Sequence, residues 1–338
     1  MRPLTPIRLL LICTILAGVL LVVALVSMKF GTRSIPLADL TSVLYHTATG
    51  QNDQISSDYR VILFEIRWPR ILLAMIVGAA LSVAGASFQA LLRNPLADPY
   101  VLGVSSGAAL GAILALIWAP HTPGVTPLAA FAGAAVASAA VYFLGRRGGY
   151  LDSFALLLGG IITASFLSAV IMFLMTVIPG SDLRGMAFWL MGDLQTASPV
   201  SPRWLLLVVL ATIGAIYTTA ADLNLLMAGE QEALHLGVDV TRVKIVVYLG
   251  ASILTGVAVA VSGAIGYVGL LVPHLIRIIF GSDYRVLIPA TALGGAIAVV
   301  LADTLARTLV SPIELPVGAM TAMVGAPMFI YLLRRRVE

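Results

Sequence analysis

Arg67 to Leu92 reads RWPRILLAMIVGAALSVAGASFQALL, and no charged residue lies between Arg70 and Arg93. About 20 mostly apolar residues suffice for an α-helix to cross the hydrocarbon core of a bilayer. The stretch predicts a spanning helix near 66–90, with Pro69 suited to its first turn. An arginine at the bilayer centre costs about 2.5–3.5 kcal/mol on insertion scales. Arg67 and Arg70 are therefore placed at the interface, as anchors or as a pair of cations offered to an acidic partner.

Working outward, apolar runs broken by polar or Gly/Pro segments predict nine further helices, near 7–28, 99–118, 125–144, 153–177, 203–220, 243–263, 267–280, 286–308 and 315–333, the eighth in chain order being short. Of the 338 residues 60% are hydrophobic and 11% charged, against about 45–50% and about 25% in soluble chains. The fold class is all-α, a polytopic membrane protein of about ten transmembrane helices forming one domain over 1–338. The run Ile7–Met28 is longer than the apolar core of about 7–15 residues in a signal peptide, and is read as a retained helix. The single cysteine, Cys13, permits no intrachain disulfide and no thiolate metal cluster. Scattered basic residues with no aromatic interleaving argue against nucleic acid, despite the formal charge of +4.

An even count of spans puts both termini on one side. Arg2 and Arg8 at one end and Arg334, Arg335 and Arg336 at the other make that side cytoplasmic by the positive-inside rule. Under this topology 12 of the 20 Lys and Arg lie inside. Three polar stretches do not span: outer Thr32–Glu65, with a short surface helix after Pro36; outer Leu183–Met191, a helix in the interface; and inner Ala221–Lys244.

Laid on itself at an offset of 178 residues, the chain aligns Gly78, Gly85, Ala86 and Pro95 with Gly256, Gly263, Ala264 and Pro273. Five crossings separate the second and seventh helices, so the likeness predicts an inverted repeat of helices 2–5 and 7–10, a recurring plan of transporters; chance recurrence of small residues is the alternative. Gly103, Gly107 and Gly111 form a strip suited to close helix packing.

Candidate functional residues are few. Asp303 and Arg307, four apart on one helix, are spaced to pair, and Arg307 is placed to join Arg67 and Arg70. His46, His121, His235 and His274 are dispersed, so no metal site is expected; His274 after Pro273 reads as a packed or hydrogen-bonded helix-start residue. In GEQEALHLG, Gly229 and Gly237 bound a short helix whose Ala233, Leu234 and Leu236 offer apolar contacts to a cytosolic partner. No phosphate-binding GxxxxGK[ST] loop occurs, so ATP hydrolysis is not expected of this chain. An ion-coupled secondary carrier would rely on Asp303, the sole plausible embedded carboxylate. A membrane enzyme or scaffold is disfavoured by the lack of clustered His, Cys or carboxylates.

Taken together, RWPRILLAMIVGAALSVAGASFQALLRNPLADPYVLGVSSGAALGA, GEQEALHLGV, SGAIGYVGLLVPHLIRIIFGSDYR, ADTLAR and LPVGAMTAMVGAPMFIYLL resemble the permease subunit of ATP-binding-cassette importers for iron chelates, haem and cobalamin, in order from about Pro36 to Arg336. The resemblance implies a ten-helix permease acting as a homodimer in the inner membrane by alternating access. Two cytosolic ATPase subunits would use ATP below it, and a periplasmic substrate-binding protein would dock above. It further implies that Arg67, Arg70 and Arg307 pair with glutamates of the binding protein, and that Gly229, Glu230, Ala233, Leu234, Leu236 and Gly237, within 221–244, couple to the ATPase. Ser87, Gln89 and Asn94 are implied as pathway or packing residues, and no cofactor is expected on the chain itself. Tyr267 and Tyr284 depart from the family's usual phenylalanine and histidine.

Overall fold

The computed structural model describes the whole chain except residues 1–4, 33, 50–56, 121, 149, 179, 195–199 and 335–338, so Arg2, His121, Arg335 and Arg336 fall outside the described residues. The helices in order are α1 (Pro6–Lys29), α2 (Leu37–Ala48), α3 (Ser57–Arg60), α4 (Trp68–Leu91), α5 (Val104–Trp118), α6 (Val125–Gly145), α7 (Ser153–Val177), α8 (Gly180–Met191), α9 (Pro202–Tyr217) and α10 (Ala220–Ala228). They continue with α11 (Glu230–His235), α12 (Val240–Ser262), α13 (Val268–Phe280), α14 (Tyr284–Thr308) and α15 (Val317–Arg334). A two-residue hairpin pairs Arg146–Arg147 with Tyr150–Leu151 between α6 and α7.

All ten expected apolar helices are present, as α1, α4, α5, α6, α7, α9, α12, α13, α14 and α15; α2 and α8 are the two surface helices. Their lengths refine the picture. Six helical segments are long and apolar enough to cross a membrane by length and composition, and the pair α9–α10, bent by 50°, makes a seventh. At a rise of about 1.5 Å per residue, α5 and α13 reach only about 22 and about 20 Å, short of a hydrocarbon core of about 30 Å.

The shortening has local causes. Where one helix was expected over 99–118, a 3₁₀ turn, Pro99–Leu102, ends at Gly103 with φ +76°, and α5 starts only beyond it. Glycine is the residue that takes this left-handed conformation without steric cost. The α13 counterpart is Tyr267, φ +66°, a bulky residue in the same region; a Cβ on Gly325 would stand 2.7 Å from its Cβ, so α15 closes directly over it. Upstream of α4 the helix does not begin near Ile66, the expected start. It continues back through a π-helical turn, Val61–Arg67, into α3. Pro69 accounts for the wide turn, because it lacks an N–H and its ring crowds the carbonyl of the residue four before it.

Backbone approach at small residues holds the bundle together. A Cβ on Gly78 of α4 would lie 2.1 Å from the carbonyl oxygen of Gly295 on α14, and one on Gly111 of α5 would lie 2.1 Å from that of Ala129 on α6. Gly107 meets Gly133 of α6 in the same way, so two glycines of the 103–111 strip are packing positions, as expected. The repeat is visible in these partners. Gly78 faces α14, while Gly256, its mate at the 178 offset, faces Phe131 and Ala134 of α6. Helix α6 occupies in the first half the place of α14 in the second. Phe88 in the last turns of α4 packs edge-on against Tyr248 near the start of α12, so the two repeat-related helices run in opposite directions. Most of α4 and α12 is buried, whereas α1 and α7 present apolar side chains outward, as bilayer-facing helices do.

Candidate functional sites at the two ends of the bundle

At the end where α4 begins, the expected arginines converge. They are turned inward rather than displayed, with exposures of 4% for Arg67, 9% for Arg70 and 3% for Arg307. Arg70 is gripped by two carboxylates: its Nε and Nη2 lie 2.8 and 2.7 Å from Asp303 Oδ1, and its Nη1 lies 2.7 Å from Glu314 Oε2. Arg307 Nε stands 2.9 Å from Asp303 Oδ2, which is the pair expected from their spacing. Its Nη2 donates to Ser27 Oγ at 2.8 Å. Arg67, although three residues from Arg70, goes elsewhere and donates to the carbonyl oxygens of Met28 and, at 3.1 Å, Lys29 at the end of α1. Gly31 makes room for it, since a Cβ there would stand 2.8 Å from Arg67 Nη2. The cluster thus ties α1, α4, α14 and the α14–α15 loop through charge-assisted hydrogen bonds.

At the opposite end, Gly229 (φ +156°) and Gly237 (φ +82°) bound α11 as expected. A Cβ on Gly229 would overlap the Glu232 carboxylate, at 1.7 Å from Oε2. The structure divides the residues assigned to this segment. Ala233 is fully buried and anchors the helix to the bundle, while Leu234 and Leu236 are exposed by 52% and 67%; the apolar surface offered outward comes from the two leucines, not from Ala233. Glu230 also faces the protein: its Oε1 accepts from Lys244 Nζ at 2.8 Å and lies 3.9 Å from Arg93 Nη2. Lys244 Nζ donates as well to the Leu151 carbonyl at 2.9 Å, fixing α11 to α12 and to the 146–151 hairpin.

The three pathway or packing candidates all make hydrogen bonds within the chain. Ser87 Oγ donates to Val83 O at 2.7 Å within its own helix, and Asn94 Oδ1 accepts from the Leu96 N–H at 2.9 Å in a turn. Gln89 Nε2 donates to Gly269 O and Leu270 O at 3.3 and 3.4 Å, and its Oε1 accepts from Arg277 Nη1 at 2.6 Å, joining α4 to α13. Arg277 Nη2 reaches Tyr284 Oη at 3.3 Å, so one of the two family departures has a polar role. Beyond it, Asn224 donates to Asp283 Oδ1 at 2.8 Å and accepts from the Tyr284 N–H at 2.9 Å. Asp283 caps α14, and the Arg285 guanidinium, followed by Asn224, holds its carboxyl down at about 2 against an ordinary 3.8. Gln89, Asn224, Arg277 and Asp283, with the apolar Pro95 and Met227, line a pocket of about 400 Å³.

Sequence reasoning missed Glu314, Lys244, Asn224 and Asp283. Each pairs with a group far off in the chain, Glu314 with Arg70 244 residues away, and no spacing signals such a contact. His274 is a packed residue as expected, 3% exposed and edge-on to Phe329, but it sits within α13 rather than at its start. Among the described residues no group of three or more His, Cys, Asp or Glu side chains converges.

The model of the FecCD transport family matches residues 19–335. The chain belongs to that family. Among FecCD permeases, the hemin transport system permease of Yersinia pestis is 40% identical over 331 residues, covering 94% of this chain and 95% of its own. The cobalamin import system permease of Halobacterium salinarum is 45% identical over 278 residues, covering 82% and 74% respectively. A solved structure described as an inward-facing conformation of a metal-chelate type ABC transporter superposes with a TM-score of 0.81 at 31% identity, over 96% of this chain and 99% of that one. This FecCD protein is accordingly a multi-pass membrane transport permease of the ATP-binding-cassette class, and the resemblance seen in the sequence is met over nearly its whole length.

Proposed function

We propose that the chain is the transmembrane subunit of an inner-membrane importer that carries an iron chelate, haem or cobalamin inward by alternating access. It would act as a homodimer driven by two separate cytosolic ATPase subunits and loaded by a substrate-binding protein. The observation carrying this reading is the division of labour between its ends. An apolar two-leucine surface on the rigidly held α11 stands at one end, and a cluster of three arginines and two carboxylates at the other. The α11 end is taken as cytoplasmic, with both termini on that side; Arg8, which donates to Phe280 O at 3.1 Å, and Arg93, Arg146, Arg242, Arg277 and Arg285 support this by the positive-inside rule. The names of the hemin and cobalamin relatives, and the description of the matched metal-chelate type transporter, support this substrate class.

The competing reading, an ion-coupled carrier working through Asp303, is disfavoured by geometry. Asp303 is committed to two guanidinium groups, and a transported cation would have to break both pairs. Liposomes holding the permease with its ATPase should accumulate ferric chelate, haem or cobalamin only when ATP and the loaded binding protein are both supplied. Uptake by the permease alone would overturn the proposal.

A further inference from the structure

The arginine cluster holds three cations and two carboxylates, and the two carboxylates are unlike. Asp303 is 1% exposed in its side chain, lies on α14 one turn from Arg307, and bridges Arg307 to Arg70. Glu314 is 22% exposed and sits in the loop between α14 and α15, beside the exposed Leu309, Val310 and Ile313. Its Oε2 accepts from Arg70 Nη1 at 2.7 Å. A carboxylate arriving from outside meets Glu314 first, and it cannot share that Nη1 without setting two anions side by side.

We propose that Glu314 is a placeholder: in the undocked chain it occupies the position on Arg70 that an acidic partner protein takes on docking, and it is exchanged for the partner's carboxylate. This rests on the reading of the cluster as a docking face. Exchange conserves the balance of three guanidiniums and two carboxylates, so the buried positive charge left uncompensated does not grow, which would be the costly outcome. Asp303 stays as the fixed counter-ion. Glu314, on a partly exposed loop, has water to enter. Docking strength is then a difference between two carboxylates competing for one guanidinium, which keeps the complex releasable.

The test uses the full permease in nanodiscs and has two arms. In the first, without any partner, modification of Arg70 by phenylglyoxal is followed by peptide mass spectrometry. The Glu314→Gln variant should label Arg70 about tenfold faster than wild type, and Glu314→Asp should fall between, with thermal unfolding confirming that all are folded. In the second, binding of the substrate-binding protein is measured at low and high salt. Glu314→Gln should tighten it by about tenfold and Arg70→Glu should weaken it by at least as much. Unchanged labelling in Glu314→Gln overturns the placeholder role, and so does faster labelling with unchanged or weaker binding. If Arg70→Glu leaves affinity unchanged at low salt, the docking face itself falls, and the exchange with it; the labelling arm shows separately whether Glu314 covers Arg70.

Discussion

Gly78 of α4 and Gly295 of α14 meet backbone to backbone, and a Cβ on either would stand 2.1–2.2 Å from the other's carbonyl oxygen. In a bilayer, lipid tails are as apolar as leucine and give helices no hydrophobic drive to associate, so close packing at small residues carries much of the association.

Gly78→Ala should therefore force the two helices apart and cost about 1–3 kcal/mol by overpacking. Gly18→Ala on α1, where a Cβ meets nothing within 4 Å, should not destabilise and should gain up to about 1 kcal/mol. Thermal unfolding in detergent separates the two; equal midpoints would refute the contact as a stabilising one.

Lys244 is 5% exposed and serves two acceptors, Glu230 and the Leu151 carbonyl. Lys244→Met removes their shared donor and leaves Glu230 only the longer contact with Arg93 at 3.9 Å. Because Glu230 is 34% exposed and keeps some water, the expected loss is about 1–3 kcal/mol rather than that of a fully buried pair. Limited proteolysis should show faster cleavage at both 146–151 and 229–237, since the lysine holds them together; unchanged cleavage at either site would break the assignment.

Asp283 titrates low in the folded protein, at about 2 against 3.8 when free. A depressed carboxylate pKa means that its contribution is complete above the free value and is lost as pH falls through the folded one. The stability difference between wild type and Asp283→Asn should be flat near neutral pH and shrink as pH drops from about 4 towards 2. A gap that widens on acidification contradicts the sign.

Within α11 the two kinds of apolar residue should behave oppositely. Leu234→Ser and Leu236→Ser alter exposed surface and should leave the unfolding midpoint in place while weakening co-purification of the ATPase subunit. Ala233→Leu, at a fully buried position, should lower stability by about 1–3 kcal/mol before any partner is involved. If the serine variants retain full ATPase association, the docking surface lies elsewhere.

Ten helices, their order and two surface helices follow from the sequence because, in a membrane, each backbone hydrogen bond is made within its own helix and each spanning segment must be apolar. Those are local constraints, readable from Arg67–Leu92 or Ile7–Met28 without knowing what lies beside them. The glycines bounding α11 were legible for the same reason, since a left-handed or closely approached backbone position selects glycine locally. The pairing of Asp303 with Arg307 was legible too, because four residues are one helical turn.

What only the tertiary structure decided is which way side chains face and which distant groups meet. The sequence offers Arg67 and Arg70 as two alike interfacial cations, yet one binds the carbonyls ending α1 and the other binds Asp303 and Glu314. Ala233 and Leu234 are adjacent and apolar, yet one is fully buried and the other is open. Composition fixes a helix's solvent, but its rotation and neighbours are set by non-local packing and by the need of each buried charge for a partner. Those are properties of the assembled bundle, not of any single stretch of it.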